Sequence, residues 1–144
     1  MRRVLPFLGL MLWTTVVPAQ DPPPSPVPAP VASAAQDTAF YSARQARRGQ
    51  DTYRKNCTAC HSTGAYAGAG FRRAWSGRSV FELWEQIRTT MPNDSPGRLK
   101  SEEYADIVAY LLKLNGIPPG PDELPADAEV LRGLRIIPPS RPGG

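Results

Sequence analysis

The sequence predicts an all-α fold. Two stretches carry apolar residues at three- and four-residue spacing, a third opens on a capping box and stops ahead of a Pro, and no alternating run is long enough to build a sheet. The chain has 144 residues, about the size of one domain, with 17 Pro, 12 Gly and a formal charge of +4. That much Pro and Gly leaves little material for a large core. Apolar residues make up 41%, which excludes a polytopic membrane protein and a wholly disordered acidic chain. There are no internal repeats. The scarcest residues are the most informative, with one His, two Cys and three Met in the whole chain. A site needing several histidines lacks its ligands, and two cysteines cannot make a disulfide-dense scaffold.

Residues 1–19 read as a signal peptide. Arg2 and Arg3 precede an apolar stretch from Val4 to Val17, and Val17-Pro18-Ala19 offers small residues for a cut ahead of Gln20. The stretch is shorter than the roughly 18–20 residues of a spanning helix. Left uncleaved, it would act as an anchor, the one route by which membrane contact is expected. Removing it takes Met1 and Met11 away and leaves one His, one Met and two Cys. Residues 20–39 form a linker rich in Pro and Ala; Pro22 to Pro30 should be extended, as a tether or a plain leader.

The first helix is expected from Phe40 to about Asn56, with Phe40, Ala43, Ala46, Gly49 and Tyr53 on one face. The second starts at Ser79, where Ser79 and Glu82 fit a capping box, and runs to about Thr90 ahead of Pro92. The third is capped by Ser101, carries Glu102 and Glu103 at the positive end of its dipole, and stops at Asn115-Gly116. Its apolar face is Tyr104, Ile107, Val108, Leu111, Leu112 and Leu114. From Ile117 the chain is Pro-rich again. A short helix over 126–134 would be anchored by Leu131 and Leu134, and Pro138 to Gly144 should fray. The division is thus 1–19, 20–39, a folded domain over 40–116, and an extension over 117–144. A domain near 70–80 residues usually carries a staple. Two cysteines three residues apart cannot be a long-loop disulfide, whereas a large apolar cofactor could complete the core.

Directly after the first helix comes Cys57-Thr58-Ala59-Cys60-His61. C-x-x-C-H is the spacing of c-type haem attachment. Two thiols bond to two vinyl groups of one porphyrin, and the adjacent imidazole binds the iron. The only His in the chain stands where such a group needs it. Competing readings are a zinc site, which wants four ligands and finds three, a redox C-x-x-C pair, which expects a βαβ context, and a chance pair of cysteines. Met91, the sole Met left after the signal peptide, is the candidate second axial ligand; the alternative is an adaptable core methionine. Pro92 breaks the helix where that side chain must turn inward.

These residues resemble the class I monohaem cytochromes c. The resemblance covers about Phe40 to Gly116 and rests on CTACH, on Met91-Pro92 and on the amphipathic stretch EEYADIVAYLLKLNG. The stretches WSGRSVFELWEQIRTTMP and ELPADAEVLRGLRI look like cytochromes associated with quinoprotein (pyrroloquinoline quinone) alcohol dehydrogenases. The resemblance implies a cytochrome c fold of three main helices around one covalently attached haem c and its iron. It also implies that the first and last helices cross closely, with Gly49 and Tyr53 facing Ile107 and Tyr110. One departure stands out. Many family members have a Pro soon after the haem motif, whose carbonyl accepts the His ring N–H, and none lies between Ser62 and Met91. The glycine-rich GAYAGAGF would have to present another carbonyl.

Tyr66, Phe71, Trp75, Phe81 and Trp84 lie between His61 and Met91 in sequence, as haem lining or as ordinary core. Trp75 with Arg72, Arg73 and Arg78 offers donors for haem propionates, or else forms a solvated basic loop. Residues 41–100 hold 11 basic and 4 acidic side chains, whereas 101–130 hold 1 and 7. A basic face would steer a redox protein with an acidic docking surface, and nucleic-acid binding is not expected. No acid–base pair or nucleophile points to bond chemistry, so a non-enzymatic, periplasmic single-electron carrier is the expectation. It would serve a dehydrogenase or a terminal oxidase, carrier or electron-accepting subunit. The alternative is a haem sensor or small-molecule-binding protein with an open iron site.

Overall fold

The computed structural model describes residues 39–139. The expected signal peptide, the linker up to residue 38 and the last residues from 140 lie outside them. Five helices make up the order: α1 Ala43–Asn56, α2 Ala69–Trp75, α3 Val80–Thr90, α4 Ser101–Leu114 and α5 Ala128–Gly133. A 3-10 turn spans Thr63–Tyr66. Among the described residues the only β pairings are two isolated bridges, so the all-α expectation stands. No helix among them is long and apolar enough to cross a membrane.

Helix α1 starts three residues later than its apolar spacing predicts. The Ser42 hydroxyl accepts the Gln45 N–H at 3.0 Å and fixes the start. Phe40 and Tyr41 therefore precede the helix, and the Tyr41 carbonyl instead accepts the Gly120 N–H at 2.8 Å. Helix α3 starts as its capping box dictates: the Ser79 hydroxyl accepts the Glu82 N–H at 3.3 Å, and the Glu82 carboxylate accepts the Ser79 N–H at 2.9 Å. In α4 the cap is Lys100, and Ser101 is already helical. The Glu103 carboxylate accepts the Lys100 N–H at 2.9 Å, so an acidic side chain does the work expected of the Ser101 hydroxyl.

Helices α1 and α4 form the frame. A Cβ on Gly49 would sit 1.7 Å from the carbonyl oxygen of Asp106, so only glycine lets the two backbones approach this closely. Tyr53 and Tyr110 lie across the same crossing with ring centroids 5.5 Å apart. Asp106, 8% exposed, is held there by two hydrogen bonds from Arg48, at 2.9 and 3.0 Å. The expected core face of α4 is buried, apart from Leu114, which is half-buried at its end.

Sequence periodicity gives no sign of the 3-10 turn or of α2. Both are short and rich in Gly and Ala, and α2 has no side-chain cap, beginning at Gly68 with φ 78°. The extension beyond Ile117 is folded into the body. The Gln45 amide makes paired hydrogen bonds with the Leu124 backbone at 2.7 and 2.8 Å, and Tyr41 donates to the Ile117 carbonyl at 2.6 Å. Helix α5, capped by Asp127, buries Leu131 fully, while Leu134 is half-buried. Ile136 then exchanges hydrogen bonds with Gly77 and Arg78 at 2.8 and 2.9 Å, ahead of α3. Pro138 is buried, so the expected fraying does not begin there; packing of Ile136 against the α2–α3 junction carries the chain inward past it.

Candidate cofactor site

Cys57 caps the C-terminus of α1, its N–H donating to the Tyr53 carbonyl at 2.8 Å. The chain then folds back on itself: the Cys57 carbonyl accepts from Cys60 N–H at 3.1 Å and from His61 N–H at 2.9 Å. Those two bonds bring Cys57, Cys60 and His61 to the wall of one cavity of about 470 Å³. Met91 reaches the same cavity from the end of α3, where its N–H donates to the Ile87 carbonyl at 2.8 Å. All four residues singled out in the sequence therefore line a single space.

The walls suit a large apolar group with a few polar anchors. Leu83 and Ile87 come from α3, Ile107 and Leu111 from α4, Trp75 from the end of α2. Both thiols are free, Cys60 exposed and Cys57 half-buried. Burial pushes the Cys57 thiol up, partly offset by the Arg98 guanidinium. Burial also raises the phenols of Tyr53, to about 12, and of Tyr66. Two thiols, an imidazole and a thioether around an apolar cavity are the donor set for a covalently attached porphyrin and its iron. Among the described residues no group of three or more His, Cys, Asp or Glu is placed to hold a bare metal ion.

The segment GAYAGAGF supplies the His61 ring with a phenol. The Tyr66 hydroxyl lies 3.2 Å from Nδ1 and 3.4 Å from Nε2, with the two rings edge to face at 71°. Asn115 holds Tyr66 in place: its amide donates to the Tyr66 carbonyl at 2.8 Å and accepts the Gly68 N–H at 2.9 Å. Sequence reasoning treats Asn115 only as the end of a helix. An Asn-Gly helix stop carries no mark of which loop its amide will grip.

Of the arginines weighed as propionate donors, Arg72 and Arg73 do not line the cavity. Arg78 stacks over Trp75 at 4.5 Å and pairs with Glu82 at 2.8 Å. Arg98, which the sequence did not single out, does line it, and its guanidinium donates to Asn56 at 3.1 Å. Of the aromatics between His61 and Met91, Tyr66 and Trp75 line the cavity, as does Tyr53 from α1; Phe71 and Trp84 belong to the core, and Phe81 packs beneath Arg132.

Residues 44–111, just under half of the chain, match the family model described as cytochrome C oxidase, cbb3-type, subunit III. No curated protein and no solved structure gives a match. The matched span runs from the start of α1 to near the end of α4 and includes the whole C-x-x-C-H turn and Met91. Helical fold, cavity, donor set and family match together identify residues 44–111 as a c-type cytochrome domain, an electron-transfer module whose cofactor is covalently attached haem c.

Proposed function

We propose that this protein is an exported single-electron carrier, or the electron-accepting subunit of a complex, working between a dehydrogenase and a terminal oxidase. The observation that carries the proposal is the meeting of Cys57, Cys60, His61 and Met91 on one apolar cavity. In this reading Cys57 and Cys60 would hold the haem through thioethers, and His61 and Met91 would bind its iron. The bound haem supplies a one-electron ferric/ferrous couple, with a potential that His–Met ligation sets higher than bis-His ligation.

The chain's own residues shape that couple. The Tyr66 hydroxyl lies beside the His61 ring, 3.2 Å from Nδ1 and 3.4 Å from Nε2, and with Nε2 on iron it would accept the Nδ1–H, fix the ring and make the imidazole a stronger donor. Leu83, Ile87, Ile107 and Leu111 exclude water, which limits the reorganisation that accompanies a change of charge. With both His61 and Met91 on the iron no position would be open to substrate, and the domain would carry out no bond chemistry of its own.

The partner reading rests on two supports. The family description names an oxidase subunit, and the stretches around Trp75–Met91 and Glu123–Ile136 resemble cytochromes associated with quinoprotein alcohol dehydrogenases. Lys55, Arg98 and Asp94 line the cavity, and with Arg98 paired to Asp94 at 3.7 Å the surplus charge there is that of Lys55, a small bias towards an acidic partner. Much of the remaining basic excess is compensated internally: Arg44, Arg48, Arg54, Arg78 and Arg88 all pair with carboxylates.

Expression of the full chain with a haem-attachment system, followed by intact-mass measurement and acid–acetone extraction, tests the proposal. A red periplasmic protein one haem heavier, whose colour resists extraction and whose couple passes one electron, is the expected result. Colourless protein, or haem that extracts freely, would rule it out.

A further inference from the structure

The Met91 side chain can serve as a ligand only if its backbone is held, because methionine has three rotatable bonds and no shape of its own to lock it. Both polar groups of Met91 are fixed. Its N–H donates to Ile87 at the end of α3, and its carbonyl accepts the Tyr104 hydroxyl at 2.8 Å. Tyr104 is fully buried on the first turn of α4, whose other buried residues are aliphatic residues, alanines, Tyr110 and Asp106, the last paired with Arg48. A phenol in that setting requires a partner, and the carbonyl of Met91 is the one it takes. The helix that carries it is itself tied to α3, since the Trp84 indole N–H donates to the Ser101 carbonyl at 3.3 Å.

We infer that Tyr104 is a positioning residue for the methionine ligand, acting through the Met91 carbonyl and not through the sulfur. The inference rests on the reading of Met91 as an axial ligand and deepens it. Without the hydroxyl, the peptide after Met91 is held only by its own turn, in which Pro92 carbonyl accepts from Ser95 N–H at 3.0 Å. The segment would then swing away more readily, and an external ligand would replace Met91 at the iron more easily.

The test uses the haem-loaded full chain and imidazole as the external ligand, followed through the near-red methionine–iron charge-transfer band of the ferric protein. Tyr104→Phe keeps the ring and removes one hydroxyl. It should retain the band but bind imidazole roughly three- to tenfold more tightly, the equivalent of one net hydrogen bond. Tyr41→Phe is the control, because Tyr41 is also fully buried and donates to a backbone carbonyl, that of Ile117, away from the cavity. It should lower the unfolding midpoint as Tyr104→Phe does and leave imidazole affinity at the wild-type value. Equal imidazole affinity in Tyr104→Phe and wild type would overturn the inference while leaving Met91 ligation intact. Absence of the band in the wild-type protein would overturn the ligation and the inference together.

Discussion

At the scale of single residues, the pentapeptide CTACH was legible because chemistry fixes its spacing, and the partners of its members were not. The only His had to be the proximal ligand candidate, yet nothing in the sequence pairs it with Tyr66, which reaches it by way of a 3-10 turn and the grip of Asn115. The resemblance implies a carbonyl beside the ring; the group found beside it is the Tyr66 phenol. Tyr66→Phe should therefore raise the reduction potential. Loss of the hydrogen bond at Nδ1 makes the imidazole a weaker donor and disfavours ferric iron, by on the order of 20–60 mV, equivalent to ~0.5–1.5 kcal/mol for one electron. Protein-film voltammetry of the two proteins reads this directly. An unchanged potential would mean that Tyr66 contributes packing alone.

At the scale of elements, the helices with strong periodicity and caps were read within a few residues, whereas α2 and the 3-10 turn were invisible. Their Gly and Ala carry no pattern, and tertiary contacts decide their shape: Asn115 grips the Gly68 N–H, and Phe71 and Trp75 sink into the core. The crossing of α1 and α4 was legible in one glycine. Gly49→Ala places a methyl against the Asp106 backbone, which no side-chain rotation can relieve. We expect a loss of roughly 3 kcal/mol or more, at or above the upper end for overpacked cores, measured by denaturant unfolding of the haem-loaded protein. A loss below about 1 kcal/mol, the range of a mere helix-propensity change, would show that the helices can part cheaply.

At the scale of the whole molecule, the Pro-rich extension packs onto the helical body. Proline suppresses periodicity, so isolated anchors such as Leu124 and Ile136 leave little trace in the sequence, whereas Leu131 is legible within its short helix. One clasp of that extension is electrostatic. Glu123 lies well below the ordinary carboxylate range, at about 2, because Arg48 and then Arg44 hydrogen-bond to it. A depressed folded value means stabilisation that is complete above the ordinary 4.5 and lost as pH falls toward 2. Wild type should therefore lose its advantage over Glu123→Gln across that window, by no more than about 1 kcal/mol, because water screens the pair. A difference that does not vary with pH would remove the ion pair from the account. The extension and the α1–α4 frame together hold α3, and α3 presents Met91 to the cavity that the C-x-x-C-H turn opens. The ferric spectrum of Met91→Ala tests that arrangement most directly. The account predicts that wild type shows the near-red methionine–iron band and that the variant, with its haem still covalently attached, loses it. A variant spectrum identical to wild type would contradict it.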